Sequence, residues 1–252
     1  MMELLSSRDP KPVEWVNKDS AAPVLLLCEH AGQAIPQGLD GLGLKDGAIE
    51  RHIGWDIGAE ALARALAHRL SAPLIMQRYS RLVIDCNRPP HSRGAIPRCS
   101  DGTVIPKNAK LTEAERLARV QSIFDPLEQA IRDGFSNKPR RAAFSIHSYT
   151  PKMSDGQDRP WHAGFLARAD DRTSQMMIGH IAGQKPDMVL ALNQPYQLDD
   201  ATDWFIPTHA EARGLAHSLI EIRNDGLADQ AGVDLWADLL AGAISTVMEN
   251  MQ

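Results

Sequence analysis

The chain has 252 residues, enough for a sizeable hydrophobic core in an α/β domain. Its 43% hydrophobic and 23% charged residues are those of an ordinary globular protein, and a formal net charge of −5 speaks against nucleic acid or an anionic membrane as partner. Three cysteines, Cys28, Cys86 and Cys99, with no CxxC pair, suggest neither a disulfide framework nor a cysteine-rich zinc site.

Residues 1–12 mix two acids with two basic residues around no apolar core, so they do not read as a secretory leader. No run approaches the roughly 18 apolar residues that a bilayer span needs, and a cytoplasmic location is expected. The first strand falls near 23–28, where Val24-Leu25-Leu26-Leu27 ends in Cys28-Glu29-His30-Ala31-Gly32. Four consecutive aliphatics suit a strand buried on both faces, and polar groups at its carboxyl end sit on the rim where open α/β sheets bind ligands. A Gly/Pro-rich loop follows. Residues 56–70 place Ile57, Leu62, Leu66 and Leu70 on one helical face, with Asp56 as a natural N-cap.

Residues 73–77 predict a second strand and Arg81-Leu82-Val83-Ile84-Asp85 a third, closed by Cys86-Asn87-Arg88-Pro89-Pro90. The stretch 91–109 reads as a long loop whose Gly94, Pro97 and Gly102 suit the hinges of a lid. A helix over 111–135 has Thr112 as its cap, Gly134 at its end, and Pro126 to kink or divide it. Further strands are expected over 141–146, 162–166, 189–192 and 218–223, and helices over 175–184, 209–215 and 233–248. With no repeat or linker, residues 1–252 read as a single domain. The alternation implies a mixed, mostly parallel sheet flanked by helices on both faces.

Four apolar runs end in, or are punctuated by, groups that carry chemistry: His30, then Asp85 with Asn87 and Arg88, then His147, then Glu221 with Arg223. On neighbouring strands these ends converge. Two histidines and a carboxylate can hold a zinc ion with one position left for water, and a further carboxylate can serve as base and then acid. Arginine suits a substrate carboxylate. Blander readings stand beside each: Asp56 as only a helix cap, His147 in a capped turn, Glu221 paired with Arg223. Cys86 as an amidase nucleophile is a further alternative.

The blocks CEHAGQAIP, HIGWDIGA, YSRLVIDCNRPP, SIHSYTP, RPWHAGFLARAD and LIEIRND, in this order over roughly residues 23–245, resemble the N-formylglutamate amidohydrolase family. The resemblance implies a zinc-carboxypeptidase-like fold, related also to aspartoacylase. It implies one Zn2+ held by His30 and His147, Asn87 and Arg88 on a substrate carboxylate, and Glu221 as general base and acid. In the related enzymes a metal-binding Glu stands three residues after the first His; here that place is Gln33. The carboxylate ligand is therefore assigned to Asp56, with Glu29 and His52 as runners-up. Arg81 is assigned to the oxyanion, and Arg93 and His209 to a second substrate carboxylate. The implied reaction is hydrolysis of N-formyl-L-glutamate to formate and glutamate, as in histidine degradation. Another N-acyl amino acid, a small peptide, or a metal-free binding role are the alternatives.

Overall fold

The computed structural model describes residues 4–154, 156 and 158–250. A seven-stranded sheet runs in the order β1-β3-β2-β6-β9-β7-β8. Its strands are β1 (Val13–Val16), β2 (Val24–Cys28), β3 (Leu74–Gln77), β6 (Ala142–Tyr149), β7 (Ala163–Leu166), β8 (Leu190–Leu192) and β9 (Ala216–Arg223). Between β3 and β6 lies a small separate hairpin, β4 (Cys99–Ser100) with β5 (Thr103–Val104). Strands β3, β2, β6 and β9 are mutually parallel, whereas β1 and β7 join them antiparallel and β8 follows β7. The mixed, mostly parallel sheet expected from the alternation is thus present.

The two faces of the central strands are both buried, as their uninterrupted apolar runs require. Along β2, Val24, Leu26 and Cys28 join one core while Leu25 and Leu27 join the other, the period of two that alternate strand side chains impose. The first core is closed by α1 (Ala59–Arg69), α4 (Arg172–Gln184) and α5 (Gln230–Asn250), and the second by α3 (Asp125–Ser136) and the segments 79–105 and 198–210. α5 is long and apolar enough to meet the length and composition of a membrane span. In the fold, its residues Val233, Trp236, Leu240, Ile244 and Val247 are buried in the first core.

Several expected elements are corrected. Residues 81–83 form a turn and 84–85 carry no regular structure, so this largely buried segment is not a strand. Their backbone is satisfied by Val83 N–H donating to Ser80 O (2.9 Å), by Asn108 Nδ2 donating to Leu82 O (2.8 Å) and by Arg119 Nη1 donating to Val83 O (2.8 Å). Side chains take the place of a ladder. The helix expected over 111–135 is split into α2 (Glu113–Arg119), a π-helical turn (Val120–Phe124) and α3. Thr112 and Glu115 form the reciprocal cap at its start. Pro126 is the second residue of α3, directly after the π turn that divides the run. Gly134 does not end α3, which runs on to Ser136. The segment read as a short helix over 209–215 holds a π turn (Ile206–Ala210) and one 3-10 turn (Glu211–Arg213). Strand β1, half-buried at the sheet edge, was not anticipated.

Candidate active site

The carboxyl ends of the parallel strands lie on one rim, as open α/β sheets arrange them. The chain leaves β2 through Glu29 and His30 and turns under the end of β3. Gly32 is required there, because a Cβ at that position would lie 2.0 Å from the carbonyl oxygen of Arg78. Asp56 is not a helix cap: α1 begins at Ala59, and the N–H of Asp56 donates to His30 O (3.0 Å), tying the two residues together. On β6, His147 follows Ser145 on the same face. The parallel register with β9 sets His147 opposite Glu221, so strand alternation delivers both side chains to one side of the sheet.

These residues meet. His147 Nδ1 lies 2.8 Å from Asp56 Oδ2 and 3.1 Å from His30 Nδ1, and His30 Nδ1 lies 3.3 Å from the same Asp56 oxygen. All three residues are buried. Each imidazole is held from behind. His30 Nε2 is 2.8 Å from Asp85 Oδ1, which also accepts from Asn87 N–H. His147 Nε2 is 2.7 Å from Ser145 Oγ, whose single proton is donated to Glu29 Oε2 (2.6 Å). Ser145 therefore accepts from His147, and Asp85 accepts from His30. These partners assign the proton to Nε2 in both rings. Two Nδ1 lone pairs and a carboxylate oxygen then face one another with no hydrogen between them.

That arrangement calls for positive charge at its centre. Burial opposes charge on His147, but Glu29 and Asp56 outweigh it and lift its pKa well above the ordinary value. Burial likewise favours a neutral Asp56, yet His30 and His147 hold its carboxyl well below the ordinary range. The donor set also fits a divalent metal. Two imidazoles and a carboxylate are a known zinc set, and ligand atoms on a tetrahedral ion with bonds of about 2.0 Å stand about 3.3 Å apart. One donor atom from each of His30, Asp56 and His147 lies within 4.8 Å of the other two. Glu29 lies behind His147, and its Oε1 has no hydrogen-bond partner among the described residues. His52 turns to the rim, 3.3 Å from Asp101 Oδ2. Gln33 is exposed.

A cavity of about 510 Å3 opens over this group, lined also by Glu221, Arg81, Asn87, Arg88 and Tyr196. Glu221 is buried, its Oε2 has no partner among the described residues, and burial pushes its carboxyl up to about 7. The suggested Glu221–Arg223 pair is not formed: Arg223 Nε donates to Asp225 Oδ1 at 2.8 Å. Arg81 spans Asp85 Oδ2 (2.7 Å) and Asp56 Oδ1 (3.3 Å), and Arg88 Nε leans on the same Asp85 oxygen at 3.4 Å. Asn87 Nδ2 donates to Asp203 Oδ1 at 3.3 Å.

Two expected binding residues lie elsewhere. His209 is buried between Phe135 and Phe205 with its Nε2 2.8 Å from Glu128 Oε2, so it serves the second core. Arg93 is exposed and does not line the cavity. Cys86 is buried; burial and the neighbouring Asp85 raise its thiol well above the ordinary value, the reverse of an activated nucleophile. Sequence reasoning missed the tasks of Asp85, Ser145 and Glu29 behind the imidazoles. The i, i+2 spacing of Ser145 and His147 on a strand was a usable signal for one of them.

The sequence matches the N-formylglutamate amidohydrolase family over residues 22–228. No functionally curated protein matches it. Among solved structures, the gene product Atu2144 from Agrobacterium tumefaciens is 33% identical, with a TM-score of 0.93 over 99% of this chain and 100% of that one. An N-formylglutamate amidohydrolase from Ralstonia eutropha JMP134 is 15% identical, with a TM-score of 0.69 over 95% of this chain and 98% of that one, and shares the fold.

Proposed function

The chain belongs to the N-formylglutamate amidohydrolase family, and from that premise we propose that it is a metal-dependent hydrolase of the amide bond in N-acyl amino acids. N-formyl-L-glutamate, the compound for which the family is named, is the reference substrate. One observation carries this reading: three lone-pair donors, His30 Nδ1, His147 Nδ1 and Asp56 Oδ2, converge within 3.3 Å beside a buried, unpaired Glu221 oxygen.

His30, Asp56 and His147 are the residues that would hold the ion, for which the ligand chemistry favours zinc. Bound there, a divalent ion supplies Lewis-acid polarisation of an acyl carbonyl and acidifies water toward neutrality. Glu221 takes the proton of the attacking water on Oε2 and returns it to the departing amine nitrogen, a double task that a carboxyl poised near neutral pH performs in both directions. Arg88 binds the carboxylate of the substrate, and Arg81 places a guanidinium beside the reacting carbonyl. Asp85 holds both arginines and His30 at once, so substrate grip and ligand orientation share one anchor.

Purified protein stripped with a strong chelator and assayed on N-formyl and N-acetyl amino acids tests the reading. Activity is expected to vanish and to return with zinc, and alkylation of thiols to leave it intact. Activity that survives the chelator and dies on alkylation would overturn it.

A further inference from the structure

An acidic N-acyl amino acid brings two carboxylates to the cavity, and the residues expected to grip the second, Arg93 and His209, do not line it. A different cation is in place. The guanidinium carbon of Arg159 lies 5.8 Å from the ring centre of Tyr149 and 5.0 Å from that of Tyr196, and both rings line the cavity. Arg81 and Arg88 lean on Asp85, and Arg51 leans on Asp101. Arg159 has no carboxylate partner among the described residues, and the adjacent Asp158 is taken by Lys152 at 3.2 Å. Arg159 Nη1 donates to the uncharged Tyr196 Oη at 3.0 Å and to Thr150 O at 3.5 Å. Its Nε and Nη2, the side-by-side pair that a carboxylate takes bidentately, have no acceptor among the described residues.

The backbone of Arg159 is tied to the strands that carry the site. Its N–H donates to Pro151 O at 2.9 Å, just past β6, and its carbonyl accepts from Arg223 Nη1 at 3.3 Å. β6 bears His147, and β9 bears Glu221 two residues before Arg223, so the strands that deliver the reacting groups also hold Arg159. The Tyr196 hydroxyl, accepting from Arg159, keeps its own proton to donate.

Resting on the amidohydrolase reading above, we propose that Arg159 is the specificity-determining residue of the cavity: it takes the side-chain carboxylate of an acidic N-acyl amino acid, joined by the Tyr196 hydroxyl, while Arg88 takes the α-carboxylate. The two aromatic rings hold the guanidinium without neutralising it, so its charge is met only when substrate supplies the anion.

N-formyl-L-glutamate and N-formyl-L-glutamine have the same length and differ in one charge, so the pair isolates the effect. For zinc-loaded full-length protein at low salt, kcat/KM for the glutamate compound is expected to exceed that for the glutamine compound about ten- to a hundredfold, the worth of a charge-assisted hydrogen bond. R159Q is expected to bring the ratio to about one by raising KM for the glutamate compound, and R159K, which keeps the charge and loses the fork, to retain part of it. Salt is expected to narrow the ratio of the parent protein, since Arg159 is only half-buried. A parent protein without the preference, or an R159Q or R159K protein that loses both compounds equally, overturns the proposal. Calorimetric titration of the zinc-loaded parent and R159Q proteins with free L-glutamate and L-glutamine reads the same preference without turnover. A preference for glutamate that R159Q abolishes, with neither formyl compound hydrolysed, would sink the amidohydrolase reading alone. Hydrolysis of both compounds without preference would sink the Arg159 assignment alone.

Discussion

Glu29 Oε2 stands 3.2 Å from His147 Nε2, on the edge of the ring opposite Asp56. Burial favours a neutral Glu29, but His147 and Ser145 overcome it and hold the carboxyl below its ordinary value. By accepting the Ser145 proton, the acid leaves Ser145 Oγ as the acceptor that keeps the ring proton on Nε2 and the Nδ1 lone pair toward the site. Outer carboxylates of this kind are worth about 10–100-fold in metal affinity. The E29Q variant is expected to bind zinc weaker by about that factor in competition with a chromophoric chelator. An unchanged affinity would show that the Glu29 charge does not govern His147.

Glu221 gives the sharpest kinetic expectation. E221Q removes the proton carrier without touching the ligand set, so kcat is expected to fall by about 10²–10⁴-fold while the zinc content stays that of the parent protein. In the parent protein, kcat/KM should fall on the acid side with a midpoint at or below 7, since the carboxyl sits at about 7 and a bound cation favours its ionised form. An acid limb retained in E221Q would assign the titration to another group.

The same group links stability to pH in metal-free protein. Glu221 has its folded pKa raised from 4.5 to about 7, so between these values the folded state holds a proton that the unfolded chain has released. Stability is then full below about pH 4.5, declines as pH rises to 7, and stays lower above. E221Q cannot ionise and should melt above the parent at pH 8, with the difference shrinking at pH 5. Equal melting temperatures at both pH values would contradict the burial of an unpaired carboxyl.

Glu128 shows the opposite sign away from the site. Burial raises it, but hydrogen bonds from His209, Trp204 and Arg132 bring its carboxyl down to about 2. Its contribution is present above pH 4.5 and lost as pH falls from there to about 2. E128Q should cost about 1–3 kcal/mol of stability at pH 7, a penalty that disappears toward pH 2. H209A should likewise lower the melting temperature and leave KM unchanged. A raised KM with an unchanged melting temperature would return His209 to substrate binding.

Arg88 and Arg93 separate site from surface. R88A is expected to raise KM by about ten- to a hundredfold, the worth of a charge-assisted hydrogen bond to a carboxylate. R93A, whose side chain is exposed outside the cavity, should leave KM within experimental error. Equal effects would show that the cavity is not where substrate binds.

How much of this was legible in the sequence depended on which physical rule governed each segment. The runs ending in His30, His147 and Glu221 were readable because parallel strands buried on both faces leave an unbroken aliphatic signature and place their ends on one rim. The register that pairs His147 with Glu221 was not readable, since it is fixed by strand order across 70 or so residues of intervening chain. Residues 81–85 misled because an apolar run says only that a segment is buried; here Asn108 and Arg119, remote in sequence, supply its hydrogen bonds. Asp56 was read both as cap and as ligand, and the later start of α1 at Ala59 frees it for the site. His209 was read as a loop residue free to meet substrate, because nothing in its flanking sequence shows that Phe135 and Phe205 enclose it.

Diffraction recorded on either side of the zinc absorption edge, from crystals grown with zinc, tests the central claim most directly. The account predicts one anomalous peak per chain, with His30 Nδ1, His147 Nδ1 and an Asp56 oxygen at about 2.0–2.2 Å from it. A peak bound by other residues, or none at this group in a protein active without metal, would contradict it.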